Sequence, residues 1–264
     1  MKQSLKQRII VITGASTGIG EEIACAAAAR GALPVIVART RDRLEATQNK
    51  VEQLTRIRPV VEVCDVSDFS ALKNMIERIE ANIGPIFSYI HNAGFGAFDY
   101  AEDVQLEQAE DMFRLNVLSG AAAAKYVMPF MKARGEGSII FTGSISSRLP
   151  TPKTSIYSAT KHAVAGYADA LRMEMKPYGI HVGILMPGPV DTAFFETADR
   201  SGRYKQNIEK MMLAPETVGR AAVQLIVRKK RSRMMPWWMG AAARLYQLAP
   251  SIVEKAGGNA FKQK

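Results

Sequence analysis

A tyrosine, a lysine and a serine have the spacing of an acid–base site. Tyr157 and Lys161 are four residues apart, and Ser144 precedes the tyrosine by thirteen residues. In a helix over 155–177, this offset puts Tyr157 and Lys161 on one face, about one turn apart. An ammonium group beside a phenol favours the phenolate, so we expect a tyrosine pKa below its reference of about 10. Such a phenol can exchange a proton with an alcohol or carbonyl, whose oxygen Ser144 can hold. A surface pair on an ordinary helix is the alternative.

A glycine-rich turn near the N-terminus predicts a dinucleotide site. The run Thr13–Gly20 follows an apolar stretch typical of a buried strand and precedes an alanine-rich helix. Gly14 allows a tight turn, Gly18 lets the backbone approach a pyrophosphate, and Gly20 lets the helix pack closely on the strand. The helix N-terminus offers N–H groups to phosphates. A merely flexible turn is the alternative, which the strand-to-helix context disfavours.

Strand and helix patterns alternate along the chain. This alternation predicts an α/β fold, a single doubly wound Rossmann domain with a mostly parallel sheet and helices on both faces. Motif residues follow the ends of predicted strands, where the ligand of such a sheet binds. The predicted strands are 8–13, 33–38, 59–64, 86–91, 137–143 and 179–186, and the predicted helices are 18–31, 41–56, 68–83, 104–134, 155–177 and 215–229.

These motifs together resemble the short-chain dehydrogenase/reductase family in its single-domain form. The resemblance covers roughly 8–230. In chain order the motifs are TGxxxGxG at Thr13–Gly20, Asp65 before Val66, NAG at Asn92–Gly94, Asn116 in Leu-Asn-Val, Ser144 in Gly-Ser-Ile-Ser-Ser, YxxxK at Tyr157–Lys161, and Pro187-Gly188.

The resemblance implies an oxidoreductase that interconverts a carbonyl and an alcohol, with Tyr157 as general acid/base. Lys161 is then expected to bind the nicotinamide ribose, and Asn116 to hold the backbone of helix 104–134 so that a water connects Lys161 to solvent. A helix-internal asparagine without this role is the alternative for Asn116. The implied catalytic residues are Asn116, Ser144, Tyr157 and Lys161, and the implied cofactor-binding residues are Gly14, Ser16, Thr17, Gly18, Ile19, Gly20, Arg39, Asp65, Val66, Asn92, Ala93, Gly94, Tyr157, Lys161, Pro187, Gly188, Val190 and Thr192.

The end of the second predicted strand favours NADP(H) over NAD(H), which stays possible. An NAD site usually places an acid here for the ribose 2′-hydroxyl. The chain has Ala38, Arg39 and Thr40 instead, and Arg39 can bind a 2′-phosphate with charge-assisted hydrogen bonds. Alternatively, Arg39 and Arg41 are the solvated start of a helix.

Composition predicts a cytoplasmic protein. Two cysteines, Cys25 and Cys64, suit a reducing compartment, and residues 1–7 lack an apolar signal segment. No stretch approaches the roughly 20 apolar residues of a transmembrane helix. The three histidines do not suggest a metal site, and the fold explains the chain without nucleic acid.

The C-terminus departs from the family pattern. We expect residues 1–230 to form the cofactor-binding and catalytic domain, and 231–264 a basic strand/helix extension of it, with a helix at 241–256 that Pro250 breaks. Residues 228–264 hold nine basic residues, one acid and both tryptophans, which suits peripheral membrane contact. Alternatively Trp237 and Trp238 lie in a last edge strand, the helix covers the cleft or a subunit interface, or the basic tail binds an acidic protein.

The segments around the expected cleft predict a hydrophobic small-molecule substrate. Residues 191–214 are expected to form a substrate lid. Aromatic residues in the lid and after the NAG motif predict an apolar pocket for a ketone, aldehyde or alcohol. Small-residue faces on helices 104–134 and 155–177 favour a homodimer or homotetramer. A non-catalytic NADP-binding sensor or scaffold and an NAD-dependent alcohol dehydrogenase are the alternative functions. The aromatic residues are Phe95, Phe98, Phe194, Phe195 and Tyr204.

Overall fold

The sheet of this protein is parallel throughout. A computed structural model describes residues 4–199, 206 and 208–262. Its seven strands have the order β3-β2-β1-β4-β5-β6-β7, and each neighbouring pair is parallel. The order reverses between β1 and β4, which is where a doubly wound sheet opens a crevice for a ligand. The strands are β1 Ile9–Thr13, β2 Leu33–Ala38, β3 Val60–Val63, β4 Ile86–His91, β5 Gly137–Thr142, β6 Ile180–Pro187 and β7 Ser232–Met235.

Helices cover both faces of the sheet. The helices α3, α5 and α6 share one buried apolar cluster with the sheet, and α1, α2 and α8 share the other. Strands β1, β4 and β5 are buried along their whole length, as expected of β-branched and aromatic residues between two helical layers. The predicted fold is therefore confirmed. The helices are α1 Gly18–Ala28, α2 Arg41–Thr55, α3 Phe69–Asn82, α4 Leu106–Phe113, α5 Ser119–Arg134, α6 Ser155–Met175, α7 Phe194–Ala198, α8 Pro215–Arg228, α9 Trp237–Leu248 and α10 Pro250–Lys262, which is kinked at Gly258.

The predicted helix 104–134 is not one α-helix. A π-helical turn, Arg114–Leu118, separates α4 from α5. Such turns insert an extra residue and are frequent at functional sites. Apolar periodicity did not reveal the turn, which is only five residues long and lies inside a continuous helical pattern.

The C-terminal segment differs from the prediction only in part. Residues Ser232–Met235 form a seventh strand beside β6, and the tryptophans follow it at the start of α9 rather than inside an edge strand. Pro236, which cannot donate to a strand ladder, separates the two elements. The helix predicted at 241–256 is broken at Pro250 as expected, and the two resulting helices meet at Ala249 and Pro250.

We expect close packing of α1 against α8 to make Gly219 intolerant of a side chain. A Cβ atom at Gly219 would lie 2.5 Å from the backbone carbonyl of Glu22 on α1. Gly219→Ala should therefore lower the free energy of unfolding by about 1–3 kcal/mol, as overpacking does. Urea unfolding followed by circular dichroism measures this change.

Gly166→Ala on α6 is the matched control, since a Cβ atom there meets nothing within 4 Å. It should stabilise the protein by about 0.5–1 kcal/mol, through helix propensity. Equal shifts for the two variants would contradict the proposed packing.

Candidate active site

A cleft of about 850 Å³ lies at the carboxyl ends of the strands. It is lined by Ser144 and by every residue predicted to bind the cofactor except Gly20. Gly20 lies behind the wall, where an added Cβ would come within 2.1 Å of the Gly14 carbonyl oxygen. The predicted residues are scattered over 14–192 in sequence, and the parallel sheet brings them to one edge.

Hydrogen bonds join the glycine-rich turn to the NAG motif across the switch between β1 and β4. The backbone N–H groups of Asn92 and Ala93 both donate to Thr13 Oγ1 at 3.0 Å. Asn92 Nδ2 donates to the carbonyl oxygens of Thr13 at 3.1 Å and Gly14 at 3.2 Å. Gly14 has φ of 64°, which favours glycine. These contacts fix the side of the cleft that the glycine-rich turn and the NAG motif form.

The first turn of α1 lies on the same side of the cleft, and no side chain caps its N–H groups. Thr17 precedes α1 and makes no capping hydrogen bond through its side chain. Gly18 and Ile19 line the cleft. The first N–H groups of a helix have no partner within the helix, so this turn can bind an anionic group. The arrangement fits the pyrophosphate of a dinucleotide.

Basic residues lie at the far end of the cleft, beside Asp65. Burial raises the pKa of the Asp65 carboxyl, but hydrogen bonds from Ser67 and the charge of Arg39 outweigh burial and hold that pKa below its usual range. Asp65 Oδ1 accepts from Ser67 N at 2.9 Å and Ser67 Oγ at 2.7 Å. Arg39 is exposed and lines the cleft together with Arg43. The arginines and the Asp65 carboxylate at this end suit a charged ligand that also forms hydrogen bonds.

Sequence reasoning missed two arginines of this end. Arg43 lies in the first turn of α2, four residues after Arg39, and Arg114 donates from Nε to the Ser67 carbonyl at 3.0 Å. The spacing of Arg39 and Arg43 was a usable signal. Arg114 gave none, because it reaches Ser67 from a distant part of the chain.

Asn116 lies in the π-helical turn, behind the cleft. Its Oδ1 accepts from Phe95 N at 3.0 Å, and its Nδ2 donates to Phe95 O at 2.9 Å and Thr160 Oγ1 at 3.1 Å. The side chain therefore ties the loop after β4 to α6, rather than holding the backbone of helix 104–134 as predicted. Its backbone carbonyl lies 3.1 Å from Nε2 of His91. Burial lowers the pKa of that histidine to about 4.

Ser144 follows β5 and begins a short 3₁₀ helix, Ile145–Ser147. Its Oγ accepts from Ser146 N at 3.1 Å, while its own N–H donates to Ser147 Oγ at 3.2 Å. The Ser144 hydroxyl lies close enough to the Tyr157 phenol to have a lowering effect on the pKa of that phenol. The two neighbouring serines thus position Ser144, whose hydroxyl faces the tyrosine.

Tyr157 and Lys161 are both buried at the cleft floor. Burial raises the pKa of Tyr157 to about 12, against the lowering effect of the Ser144 hydrogen bond. The prediction that Lys161 lowers this pKa is therefore wrong for the protein without its ligands. The Lys161 ammonium donates to the Thr142 carbonyl at 3.1 Å and lies 5.7 Å from the centroid of the tyrosine ring. In this arrangement, desolvation of the phenolate dominates.

Burial lowers the pKa of Lys161 to about 8. An unfolded chain would keep the lysine proton up to the ordinary range near 10.5. Between those pH values the unfolded state binds more protons than the folded state, so this group makes stability rise with pH there.

Aromatic rings form the wall next to Tyr157. The tyrosine ring centroid lies 5.7 Å from that of Phe98 and 5.8 Å from that of Phe194. Phe98 N donates to the carbonyl of Ala198 at 2.9 Å, which ties the loop after β4 to α7. Within the predicted lid 191–214, residues 200–205 and 207, including Tyr204, lie outside the described residues.

The described part of the chain offers two further observations. No group of three or more histidine, cysteine, aspartate or glutamate side chains within it could hold a metal ion. No helix within it is long and apolar enough to cross a membrane.

Known relatives and solved structures resemble this chain in sequence and in fold. A profile described as short chain dehydrogenase matches residues 8–202. The chain is 32% identical to 3-ketodihydrosphingosine reductase from Bos taurus over 190 residues, which are 70% of this chain and 57% of the relative. It is 31% identical to 11-beta-hydroxysteroid dehydrogenase-like 3 from Arabidopsis thaliana over 191 residues, 72% of this chain and 61% of the relative. The match thus spans about three fifths of these curated relatives.

Two structural neighbours were solved with a phosphorylated nicotinamide cofactor or its derivative. L-sorbose reductase from Gluconobacter frateurii, complexed with NADPH and L-sorbose, has a TM-score of 0.79 at 26% identity and covers 89% of this chain and 97% of its own. Alcohol dehydrogenase from Thermococcus sibiricus, complexed with 5-hydroxy-NADP, has a TM-score of 0.76 at 27% identity and covers 87% and 96%. The matching profile, the relatives and the similar fold of the solved structures together show that this chain belongs to the short-chain dehydrogenase family.

Proposed function

We propose that the protein is an NADP(H)-dependent oxidoreductase that interconverts a ketone or aldehyde and an alcohol on a hydrophobic small molecule. The observation that carries this proposal is the position of Ser144, Tyr157 and Lys161 together on the cleft floor, with Asn116 bracing the loop and helix behind them. A buried phenol beside a hydroxyl donor suits proton exchange with a substrate oxygen.

The cleft has the shape and the donors for NADP(H). The first turn of α1 would hold the pyrophosphate, Asp65 and Val66 the adenine, and Arg39 with Arg43 the 2′-phosphate. Asn92–Gly94 and Lys161 would support the nicotinamide ribose, and Pro187, Gly188, Val190 and Thr192 would line the nicotinamide end. When bound, the cofactor supplies or accepts a hydride at the substrate carbon.

The proton would move at the Tyr157 hydroxyl. With a pKa raised to about 12, this phenol keeps its proton at neutral pH and can donate it to a carbonyl oxygen that Ser144 also holds. Lys161, whose pKa is lowered to about 8, still carries most of its charge at pH 7. The raised pKa therefore suits Tyr157 to the role of proton donor to a carbonyl oxygen.

The aromatic wall supports an apolar substrate. Phe98, Phe194 and Phe195 surround the Tyr157 ring, and neighbouring ring centroids lie 5.5–6.3 Å apart. Pockets of this composition bind apolar ligands. Relatives named for a sphingoid ketone and a hydroxysteroid favour the same class. The neighbour solved with L-sorbose shows that the fold by itself does not select one substrate.

Several wider features belong to this proposal. We expect residues 191–214 to act as a substrate lid, 1–230 as the catalytic domain and 231–264 as its extension. A homodimer or homotetramer in the cytoplasm is expected, with the exposed Leu118 and Met173 of the π turn and α6 in its interface. An NAD-dependent alcohol dehydrogenase or a sensor without turnover remains the alternative function, and the first experiment below separates the sensor from the enzyme.

We expect Tyr157→Phe to abolish turnover while leaving cofactor binding intact. NADPH oxidation is followed with a panel of long-chain 3-ketones, steroid ketones and aromatic aldehydes. Loss of the proton donor should lower kcat by about 10²–10⁴-fold, while the Kd for NADPH, measured by fluorescence, stays within about twofold because the aromatic ring remains.

Tyr178→Phe is the control, since Tyr178 is a surface residue away from the cleft. Turnover that survives in Tyr157→Phe would contradict the proposed proton donor. Tight NADPH binding without turnover on any substrate of the panel would favour the sensor.

We expect Arg39→Asp to weaken NADPH binding by about 10–100-fold, the effect of losing charge-assisted hydrogen bonds. NADH, which lacks the 2′-phosphate, should bind almost as before. Isothermal titration with both cofactors measures the two constants.

Arg41→Asp provides the matched control, because Arg41 pairs with Glu45 and does not line the cleft. A smaller change for NADPH is expected there. Equal losses for NADPH and NADH in Arg39→Asp would contradict recognition of the 2′-phosphate.

A further inference from the structure

The first C-terminal helix, α9, presents its large apolar side chains to solvent. Trp237 is 81% exposed and Leu248 is 84% exposed, and Trp238 and Leu245 are exposed as well. At 100° per residue, these four side chains fall within about 100° of one another around the helix. We call them the outward stripe. On an ordinary surface helix, such a stripe faces the core.

The opposite face of α9 explains this orientation. Gly240 and Ala243 are buried, and a Cβ atom at Gly240 would lie 2.9 Å from Cβ of Met234 on β7. The helix is therefore attached to the protein by its small residues. The outward stripe is left uncovered within the described part of the chain, and α10 adds a further exposed apolar side chain, Ile252, which is 65% exposed.

The charge around the outward stripe is positive. The two C-terminal helices, residues 237–262, contain three basic residues and one acid, and α9 itself contains no acidic residue. Arg244 on α9 and Lys255 on α10 are exposed. Exposed tryptophan and leucine side chains flanked by cations are the composition of a helix that lies in the interface of an anionic membrane.

A second copy of the chain would suit this surface less well. A two-fold interface brings the same patch of both subunits together, so Arg244 and the neighbouring cations would face like charges. Phosphate headgroups instead neutralise them, while the outward stripe enters the acyl boundary. Repulsion between the basic residues therefore disfavours association of two copies, and their attraction to phosphate headgroups favours an anionic bilayer.

We propose that the outward stripe of α9, together with Ile252, docks the protein on anionic membrane surfaces. The helix also packs beside the cleft: a Cβ atom at Gly188 would lie 2.6 Å from Sδ of Met239, and Gly188 lines the cleft. Docking would therefore hold the cleft near the bilayer surface. This position would give an apolar substrate in the bilayer access to the cleft. That consequence rests on the proposed function, whereas the docking itself does not.

The chain carries its own reporter for this test, because Trp237 and Trp238 are its only tryptophans. The full-length protein is mixed with vesicles of phosphatidylcholine alone or with about 30% phosphatidylserine, at low and high salt. We expect sedimentation with the anionic vesicles, weakened by salt, and a blue shift of the tryptophan emission. Lipids brominated on their acyl chains should quench this emission.

Leu245→Glu combined with Leu248→Glu keeps both tryptophans and charges the outward stripe. We expect the partition coefficient of this variant to fall at least about tenfold, as the apolar area entering the acyl boundary is lost. Leu54→Glu is the matched control, since Leu54 is 67% exposed on α2, and it should bind vesicles like the parent. Circular dichroism verifies that both variants fold.

Four outcomes would overturn the proposal. They are no sedimentation with anionic vesicles at low salt, equal binding to neutral vesicles, binding that survives the double substitution, and a loss of oligomer mass in that variant without any vesicle binding by the parent. The last result would identify the outward stripe as a contact between copies. Each readout is independent of turnover, so failure here leaves the proposed reductase untouched, and a failed turnover assay leaves docking untouched.

Discussion

The arrangement of the cleft floor depends most on the burial of one ammonium group, that of Lys161. Lys161 donates to the Thr142 carbonyl at the end of β5, and burial lowers its pKa to about 8. Removing a charge from water is costly unless the surroundings are rigid and polar. The parts that surround Lys161 are accordingly tied to one another. Asn116 bonds the loop after β4 and Thr160 on α6, and a side chain at Gly94 would come within 2.7 Å of Asn116 Oδ1.

The cleft is divided between two kinds of surface. Its far end carries Arg39 and Arg43 beside Asp65, with uncapped N–H groups at the start of α1 next to it. Its near end carries aromatic rings around Tyr157. A charged dinucleotide and an apolar substrate would meet between these surfaces, at the Tyr157 hydroxyl. The apolar end also excludes water, which strengthens electrostatic interactions at the reacting atoms. The same desolvation raises the pKa of the tyrosine, which is why a neighbouring lysine does not lower it here.

The sequence was sufficient for the fold because its signals are local. Buried β-branched strands, the Gly14–Gly20 turn and the alternation of elements each predict the doubly wound sheet, and the residues expected in the cleft lie there. Three features were not predictable in the same way. The π turn at Asn116 is only five residues long inside a helical pattern, and Arg114 reaches Ser67 only through tertiary structure. The pKa of Tyr157 depends on burial, which spacing along a helix does not determine. The extension predicted as strand and helix does contain a short strand, Ser232–Met235.

Direct titration of Lys161 tests the central claim, that the acid–base pair occupies a desolvated floor. Lysine labelled with ¹³C and ¹⁵N allows each ammonium group to be followed by NMR between pH 6 and pH 11. We expect one lysine that titrates near pH 8 and whose signal is absent from Lys161→Met. If every lysine, including Lys161, titrates above about pH 10, the ordinary range of solvated ammonium groups, the floor is hydrated and the account is contradicted.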